Sequence, residues 1–342
     1  MESKINISDD SQANMISFNQ DYSLISIGTN SGYKIIQISP LLIHKKNLFG
    51  SLSHCELSYR SNLLALIGGG KLPKFNQNKV VIYNDLEDSI ENEYKFGTPV
   101  LNVKFKKIYI FIVCEKKIYV FNIMTSQNID IFETAENKNG IMAVNRCEEK
   151  TIIAYPIESD EELNKGYVGV KNYNTKKYFS FLAQEESISY MEMDYNGLLL
   201  ATVNDKGNII RLHNLLDKTL VYECKKDKDK SSINYICFDL NYNYIGASNN
   251  KGIIYLWKLD EIIDKEIDEE GFIYKVRKNE AYIKELYFAK INACKKNCVF
   301  CFRPGNTLLI ISQDEKYFIA QINNKGGNIK AIEQKNFLYQ NK

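Results

Sequence analysis

A unit of about 40 to 47 residues recurs along the chain, and that period limits the fold more tightly than any single motif does. Each copy reads as a short alternating strand, a turn carrying Asn, Asp or Lys, a more apolar strand, a second turn usually carrying Gly, and a third strand. The clearest pair is "SISYMEMDYNGLLLATVNDKGNIIRLHNL" (187–215) and "SINYICFDLNYNYIGASNNKGIIYLWKL" (232–259). Met191 falls with Ile236, Leu200 with Gly246, Gly207 with Gly252, and Arg211 with Leu256. The same grammar returns at 14–38, 55–85, 100–123, 140–173 and 298–322. Starts at 14, 55, 100, 140, 187, 232 and 298 give spacings of about 41, 45, 40, 47, 45 and 66 residues, and a four-stranded propeller blade takes about 40–45. The excess in the last interval falls on "DEIIDKEIDEEGFIYKVRKNEA" (260–281), which reads as an insertion in the sixth unit. The pattern predicts an all-β chain: a single seven-bladed β-propeller over 1–342, built of four-stranded antiparallel blades whose outer strands stay partly exposed.

Composition narrows the function. With 44 basic and 42 acidic residues the net charge is +2, so there is no global pull toward nucleic acid or membrane and any anion site must be local. No apolar run reaches the roughly 18 residues of a membrane span, and the first ten residues lack the basic start and apolar centre of a signal peptide. The chain reads as cytoplasmic, with its eight cysteines reduced. Cys294, Cys298 and Cys301 in "CKKNCVFC" have near-metal spacing, but no histidine is near, and no metal is expected. His44, His54 and His213 accompany no Ser or Cys motif, and no paired carboxylates stand in a catalytic context. "GGGKLP" (68–73) lacks phosphate-loop spacing. The expectation is a protein that is not an enzyme and uses no cofactor.

Trp257 is followed by Lys, and no Trp-Asp pair occurs. Several stretches instead resemble the PROPPIN family, the phosphoinositide-binding propellers of autophagy. Phe18-Asn19-Gln20-Asp21 with Gly28-Thr29 and Gly32 matches its first-blade signature. Leu66, Gly68 to Gly70, Pro73, Phe75 and Asn78-Lys79-Val80 match its most distinctive stretch. Residues 100–123 follow the third blade, and Ala201-Thr202, Gly207 and Ile210-Arg211 follow the fifth.

The resemblance implies site residues. In the family the fifth blade ends in Phe-Arg-Arg-Gly, whose arginines serve two phosphoinositide sites, as neighbours on a strand face opposite ways. Here Cys224, Lys225, Lys226 and Asp227 align with it. Lysine keeps the charge but loses the planar bidentate fork, and Asp227 would set a carboxylate beside the ligand. The supporting fifth-blade hydroxyls align with Asn204 and Asn208, with Arg211 kept; those of the sixth blade align with Ser248 or Asn249, Ile253 and Tyr255. The phosphoinositide candidates are therefore Lys225, Lys226, Arg211, Asn204, Asn208, Ser248 and Asn249. The plainer reading of Lys225-Lys226 is a solvated strand end. The insertion takes the place of the family's membrane-inserting loop. Its first eleven residues are strongly acidic, and only "GFIYKVRK" (271–278) has aromatic and basic character.

The family's contact with a lipid-transfer partner maps onto Asn19 and Asp21, together with Pro73, Phe75 and Lys79, although Asn and Asp are also ordinary turn residues. The implied function is a monomeric scaffold that binds phosphatidylinositol 3-phosphate or the 3,5-bisphosphate. It would recruit an autophagy lipid-transfer protein, sit peripherally on endosomal, vacuolar or autophagosomal membranes, and bind no nucleic acid. The alternative is a protein-interaction hub that has lost phosphoinositide binding.

Overall fold

The computed structural model describes residues 13–40, 42–159, 165–227, 231–260, 262–268, 271–277, 283–323 and 325–333. All regular structure in it is strand. Seven sheets are blades and the eighth is a two-stranded hairpin, which makes the chain an all-β, seven-bladed β-propeller. Blade one holds Met15–Phe18, Leu24–Gly28, Gly32–Gln37 and Leu42–Asn47. Blade two holds Leu52–Leu57, Leu63–Gly68, Lys79–Asn84 and Ser89–Lys95, and blade three Val100–Lys106, Tyr109–Cys114, Lys117–Asn122 and Asn128–Glu133. Blade four holds Ala143–Val144, Ile152–Ile157, Gly166–Asn172 and Lys177–Gln184. Blade five is Ile188–Met193, Leu199–Asn204, Ile209–Asn214 and Leu220–Lys225; blade six is Ile233–Phe238, Tyr244–Asn249, Ile253–Lys258 and Ala289–Asn292. Blade seven is Cys298–Arg303, Thr307–Ser312, Tyr317–Gln321 and Ile332–Glu333. Blades one to three lie in one compact unit; blades four to six and most of blade seven lie in a second, with Ile311–Tyr317 grouped with the first.

Burial follows strand position within a blade. In blade two the second strand, LLALIG, is buried almost throughout, and the third, KVVIYN, is buried at its four central residues. The fourth, SIENEYK, alternates toward solvent. Continuous apolar runs belong to strands covered on both faces, and alternating ones to strands covered on one, so these sequences sort themselves by depth. In blades five and six the packing centres on Trp257, which is fully buried with Tyr222, Tyr242 and Tyr255 around it.

One turn recurs at the end of the first strand. In blade one the Asn19 amide donates to the Leu24 carbonyl and the Tyr22 amide donates to the Asn19 carbonyl. Ser58 with Leu63 and Ser61, Asp194 with Leu199 and Gly197, and Asp239 with Tyr244 and Tyr242 repeat both bonds in blades two, five and six. Residues Tyr22, Tyr59 and Tyr242 take positive φ there, as does Gly197. Asn and Asp suit the first position because a short side-chain oxygen can accept the amides the turn leaves over.

Two features depart from the four-stranded expectation. Ile283–Leu286 adds a fifth strand to blade five, parallel to Leu220–Lys225, and Gly327–Lys330 adds a fifth to blade six, parallel to Ala289–Asn292. The outer edges of these two blades are thus covered rather than exposed. The hairpin Ile263–Asp268 and Gly271–Val276 lies between the third and fourth strands of blade six; residues 261, 269–270 and 278–281 of the expected insertion lie outside the described residues.

His213, on the third strand of blade five, is buried against Phe181, and its Nδ1 has no hydrogen-bond partner among the described residues. Burial, and then the nearby Arg211 charge, push its pKa down to about 4. The folded-state value lies below the unfolded one near 6.5, so the stability tied to neutral His213 is complete above that range and is lost as pH falls toward 4. Between pH 8 and pH 5 this one group removes about 2 kcal/mol from folding. His213→Phe is expected to lose correspondingly less stability than the native chain over that interval in urea unfolding; equal losses would show that His213 is not the titrating group.

Candidate phosphoinositide and partner sites

Arg211 and Glu223 are register partners across the third and fourth strands of blade five. The guanidinium Nε lies 3.4 Å from the buried Glu223 carboxylate, and Nη1 lies 3.7 Å from Glu185. Close by, Glu186 accepts from Asn204 at 3.2 Å and is ion-paired with Lys206, while Lys165 lies 3.9 Å from Glu185. Around the first candidate pocket the cations Arg211, Lys206 and Lys165 therefore face Glu185, Glu186 and Glu223. This balance leaves little local attraction for a phosphate.

Asn204 and Asn249 occupy equivalent places. Each ends the second strand of its blade and closes a turn that reaches a glycine of positive φ, Gly207 or Gly252. The Asn204 side-chain oxygen accepts the Gly207 amide at 3.2 Å; that of Asn249 accepts from Lys251 and Ile253 at 3.0 and 2.9 Å. Asn208 is exposed, and its carbonyl takes the Lys226 amide at 3.3 Å. Ser248 is fully buried, with its hydroxyl donating to the Cys298 carbonyl at 2.7 Å. Ser248, Asn204 and Asn249 are thus structural donors and acceptors of the blades, which the alignment to family hydroxyls did not show.

Lys225 and Lys226 sit where the fourth strand of blade five ends. The Lys225 carbonyl takes the Tyr287 amide and the Trp257 indole N–H. Lys226 is buried at 5% exposure, and its ammonium donates to Ser231 at 3.1 Å, which in turn accepts from Asn249 at 2.8 Å. The Asp227 carboxylate is ion-paired at 2.5 Å with Lys290 of blade six, and burial, followed by this carboxylate, pushes the Tyr287 phenol pKa up. In the hairpin, the Tyr274 ring packs tilted against Tyr242 at 4.5 Å between centroids and Arg277 pairs with Asp264 at 2.6 Å, so two of the residues expected to touch membrane are held at the hairpin base. A cavity of about 200 Å³ lined by Glu136, Glu158, Lys165, Tyr167 and Ser187 contains none of the candidates.

The partner candidates separate. Asn19 is 1% exposed, its side-chain oxygen accepting the Leu24 amide at 2.9 Å and its amide donating to Ser23 and to the Tyr59 carbonyl. It is a turn residue that joins blades one and two, not a surface contact. Asp21 beside it is exposed; partial burial works to raise its pKa, but the Ser23 hydrogen bonds and Arg60 at 2.8 Å outweigh this and lower it. Pro73, exposed, and Phe75, packed on the blade-two core, lie in the connection after the second strand, at the opposite end of that strand from the turn holding Asn19. A six-residue strand spans about 17–20 Å, so Asp21 and Pro73 do not share one small contact. Lys79 is paired with Glu93 at 2.7 Å. What the alignment missed are Phe49 and Leu72, 91% and 77% exposed. Their loops are tied together by the Ser51 amide donating to the Leu72 carbonyl at 2.7 Å and by Gly50 pressing on the Lys74 backbone. The only sequence signal was an apolar residue between turn formers, in "NLFGS" and "GKLPK".

Seven blades of strands define the fold as a β-propeller. The PROPPIN family model matches residues 13–328, and the chain belongs to the PROPPIN family. Autophagy-related protein 18e of Arabidopsis thaliana is 25% identical over 334 residues, covering 94% of this chain and 87% of its own. Autophagy-related protein 18 of Komagataella pastoris is 26% identical over 281 residues, covering 72% of this chain and 52% of its own, so the chain spans about half of that relative. Among solved structures, KlAtg21 in complex with the coiled coil of AgAtg16 superposes with a TM-score of 0.75 at 18% identity, covering 94% of this chain and 98% of that one. No helix among the described residues is long and apolar enough to cross a membrane.

The two readings of Asn19 differ in stability. Asn19→Ala leaves the part-buried Leu24 amide without its side-chain acceptor and is expected to cost about 1–3 kcal/mol in urea denaturation, whereas Asp21→Ala at the surface is expected to stay within about 0.5 kcal/mol. An unchanged midpoint for Asn19→Ala would return that residue to the contact surface.

Proposed function

We propose that this protein is an autophagy scaffold that recruits a protein partner and docks on membranes bearing phosphatidylinositol 3-phosphate or the 3,5-bisphosphate. The observation that carries the lipid half is the placement of Lys225 and Lys226 at the end of blade five, with the Lys226 ammonium beside Ser231 and Asn249 of the blade-six side. Two adjacent cations at one strand end suit an anionic headgroup, which gains charge-assisted hydrogen bonds from them. Affinity is low in this reading, because Arg211 is already engaged by Glu223 and Glu185. Lipid contact then acts together with the protein partner, as two weak attachments on one body give strong overall retention.

The partner docks on blades one and two, and the exposed pair Phe49 and Leu72 supplies its apolar anchors, with Pro73 and Lys74 beside them. A lipid-transfer protein of autophagy is the partner class implied by family, and the coiled coil bound by KlAtg21 supports a helical segment as the contacting element. The second reading, a hub without lipid recognition, is favoured by the charge balance around Arg211 and by the Ser248 hydroxyl being spent on the Cys298 carbonyl.

The deciding measurement is flotation with liposomes carrying phosphatidylinositol 3-phosphate, beside liposomes of equal charge without it, at low salt where exposed charges are least screened. The native chain is expected to float selectively. Lys225→Ala combined with Lys226→Met, which keeps the buried stem volume, is expected to lower apparent affinity about tenfold, the worth of one charged hydrogen bond. A native chain that stays in solution in both arms removes the lipid half and leaves the hub.

A further inference from the structure

A strand at the edge of a sheet presents a row of unpaired N–H and C=O groups, and soluble proteins blunt such edges with charges, with shortness or with a covering strand. Six of the seven blades do so. Blade one ends its sheet in LIHKKN, blade two in SIENEYK and blade three in NIDIFE, each with two or more charged side chains. The edges of blades five and six are covered by Ile283–Leu286 and Gly327–Lys330, and blade seven ends in a strand of two residues. Blade four differs. Its outer strand Lys177–Gln184, KYFSFLAQ, is the longest among the described residues, carries no charge after its first position, and has no further strand on its outer side among those residues.

The strand is regular up to Leu182, with Tyr178 opposite Lys171, Ser180 opposite Gly169 and Leu182 opposite Tyr167; the register then shifts and passes over Ala183. Its two faces are unlike. Phe179 and Phe181 turn toward blade five, where the Lys218 ammonium lies 5.4 Å from the centre of the Phe179 ring and the His213 ring 5.1 Å from that of Phe181. Tyr178 and Ser180 are exposed, and Gly169 keeps their face low, since a Cβ there would stand 3.2 Å from the Tyr178 hydroxyl. Exposed Lys176 and Lys177 begin the segment, and Glu185 and Glu186 follow it. Two cations, a neutral apolar run and two anions make a sequence that complements its own reverse.

We propose that the outer strand of blade four pairs antiparallel with the same strand of a second copy of this chain, across a two-fold axis at Ser180. In that register Tyr178 stands opposite Leu182 and Phe179 opposite Phe181, the aromatic and apolar pairings that stabilise neighbouring strands. The basic start of each copy runs beside the acidic end of the other, so no like charges meet. Both copies use the same patch, and association therefore closes at two. One strand pair covers less than the about 1,200–2,000 Å² of a standard stable interface, which sets the dissociation constant on the order of 100 µM. The chain is then a monomer in dilute solution and a dimer where it is concentrated. This inference depends on neither the lipid nor the partner reading.

The test is sedimentation velocity of the full chain from about 5 to about 500 µM, a range that brackets the expected constant. The native sedimentation coefficient is expected to rise with concentration to that of a dimer and no further. Ser180 is exposed, so Ser180→Lys and Ser180→Glu keep the fold, and each sets two like charges opposite one another at the axis, weakening association about tenfold. An equimolar mixture of the two variants is expected to associate at least as well as the native chain, a recovery that a loosened fold would not give. Hydrogen exchange of the amides of residues 178–182 is expected to slow at high concentration in the native chain only. A native chain that stays monomeric throughout, association that persists undiminished in Ser180→Lys, a mixture no stronger than its components, or concentration-dependent protection confined to another segment overturns the proposal.

Discussion

The turn that ends the first strand in blades one, two, five and six is the interaction on which the blade arrangement rests. A side-chain oxygen at its first residue accepts amides that the strand cannot satisfy: Asn19 takes Leu24, Asp194 takes Leu198 and Leu199, and Asp239 takes Asn243. Within each unit the same residues reach the next blade. The Asn19 amide donates to the Tyr59 carbonyl, and the Tyr242 hydroxyl donates to Asp194, where it meets Asn196 as well. Sheets stacked by apolar faces alone can slide, because the hydrophobic effect is not directional. Buried hydrogen bonds at fixed positions remove that freedom, since each slip would strand a polar group.

The same economy explains why the candidate lipid residues are so poorly placed for a ligand. Polar residues at blade turns are needed by the turns themselves, and a phosphate site has to be made from what remains. Asn204 and Asn249 are held by their turns, Arg211 by its cross-strand carboxylate, and the buried Lys226 ammonium by Ser231.

Much of the fold was legible because its signals are local. Period-two alternation, apolar second strands and glycines at turns recur at measurable spacing, and the equivalence of Gly207 with Gly252 read from the sequence is matched in their turns, where each glycine, at positive φ, donates its amide to the carbonyl of the residue that ends the second strand. The fifth strands were not legible: "IKEL" and "GNIK" are four residues long, carry little alternation, and pair with strands far away in the chain. The role of Asn19 was misread for a different reason, since asparagine serves a turn and a contact equally well and only burial decides. Pro73 and Asp21 were grouped because sequence similarity records which residues are kept and not which end of a strand they stand on. Phe49 and Leu72 escaped notice because exposure, not residue type, makes them distinctive.

The route taken by the chain after the blade-six hairpin has a mechanical meaning. It leaves blade six at Lys258, forms the hairpin, and then runs along the edge of blade five as Ile283–Leu286, where Tyr222 donates to Glu285, before re-entering blade six at Ala289. The two neighbouring blades are therefore stitched by one continuous thread. Lengthening or shortening the return segment would be felt first at the Lys225 strand end of blade five, so evolution could retune the cationic corner by insertions and deletions without substituting a single residue in it.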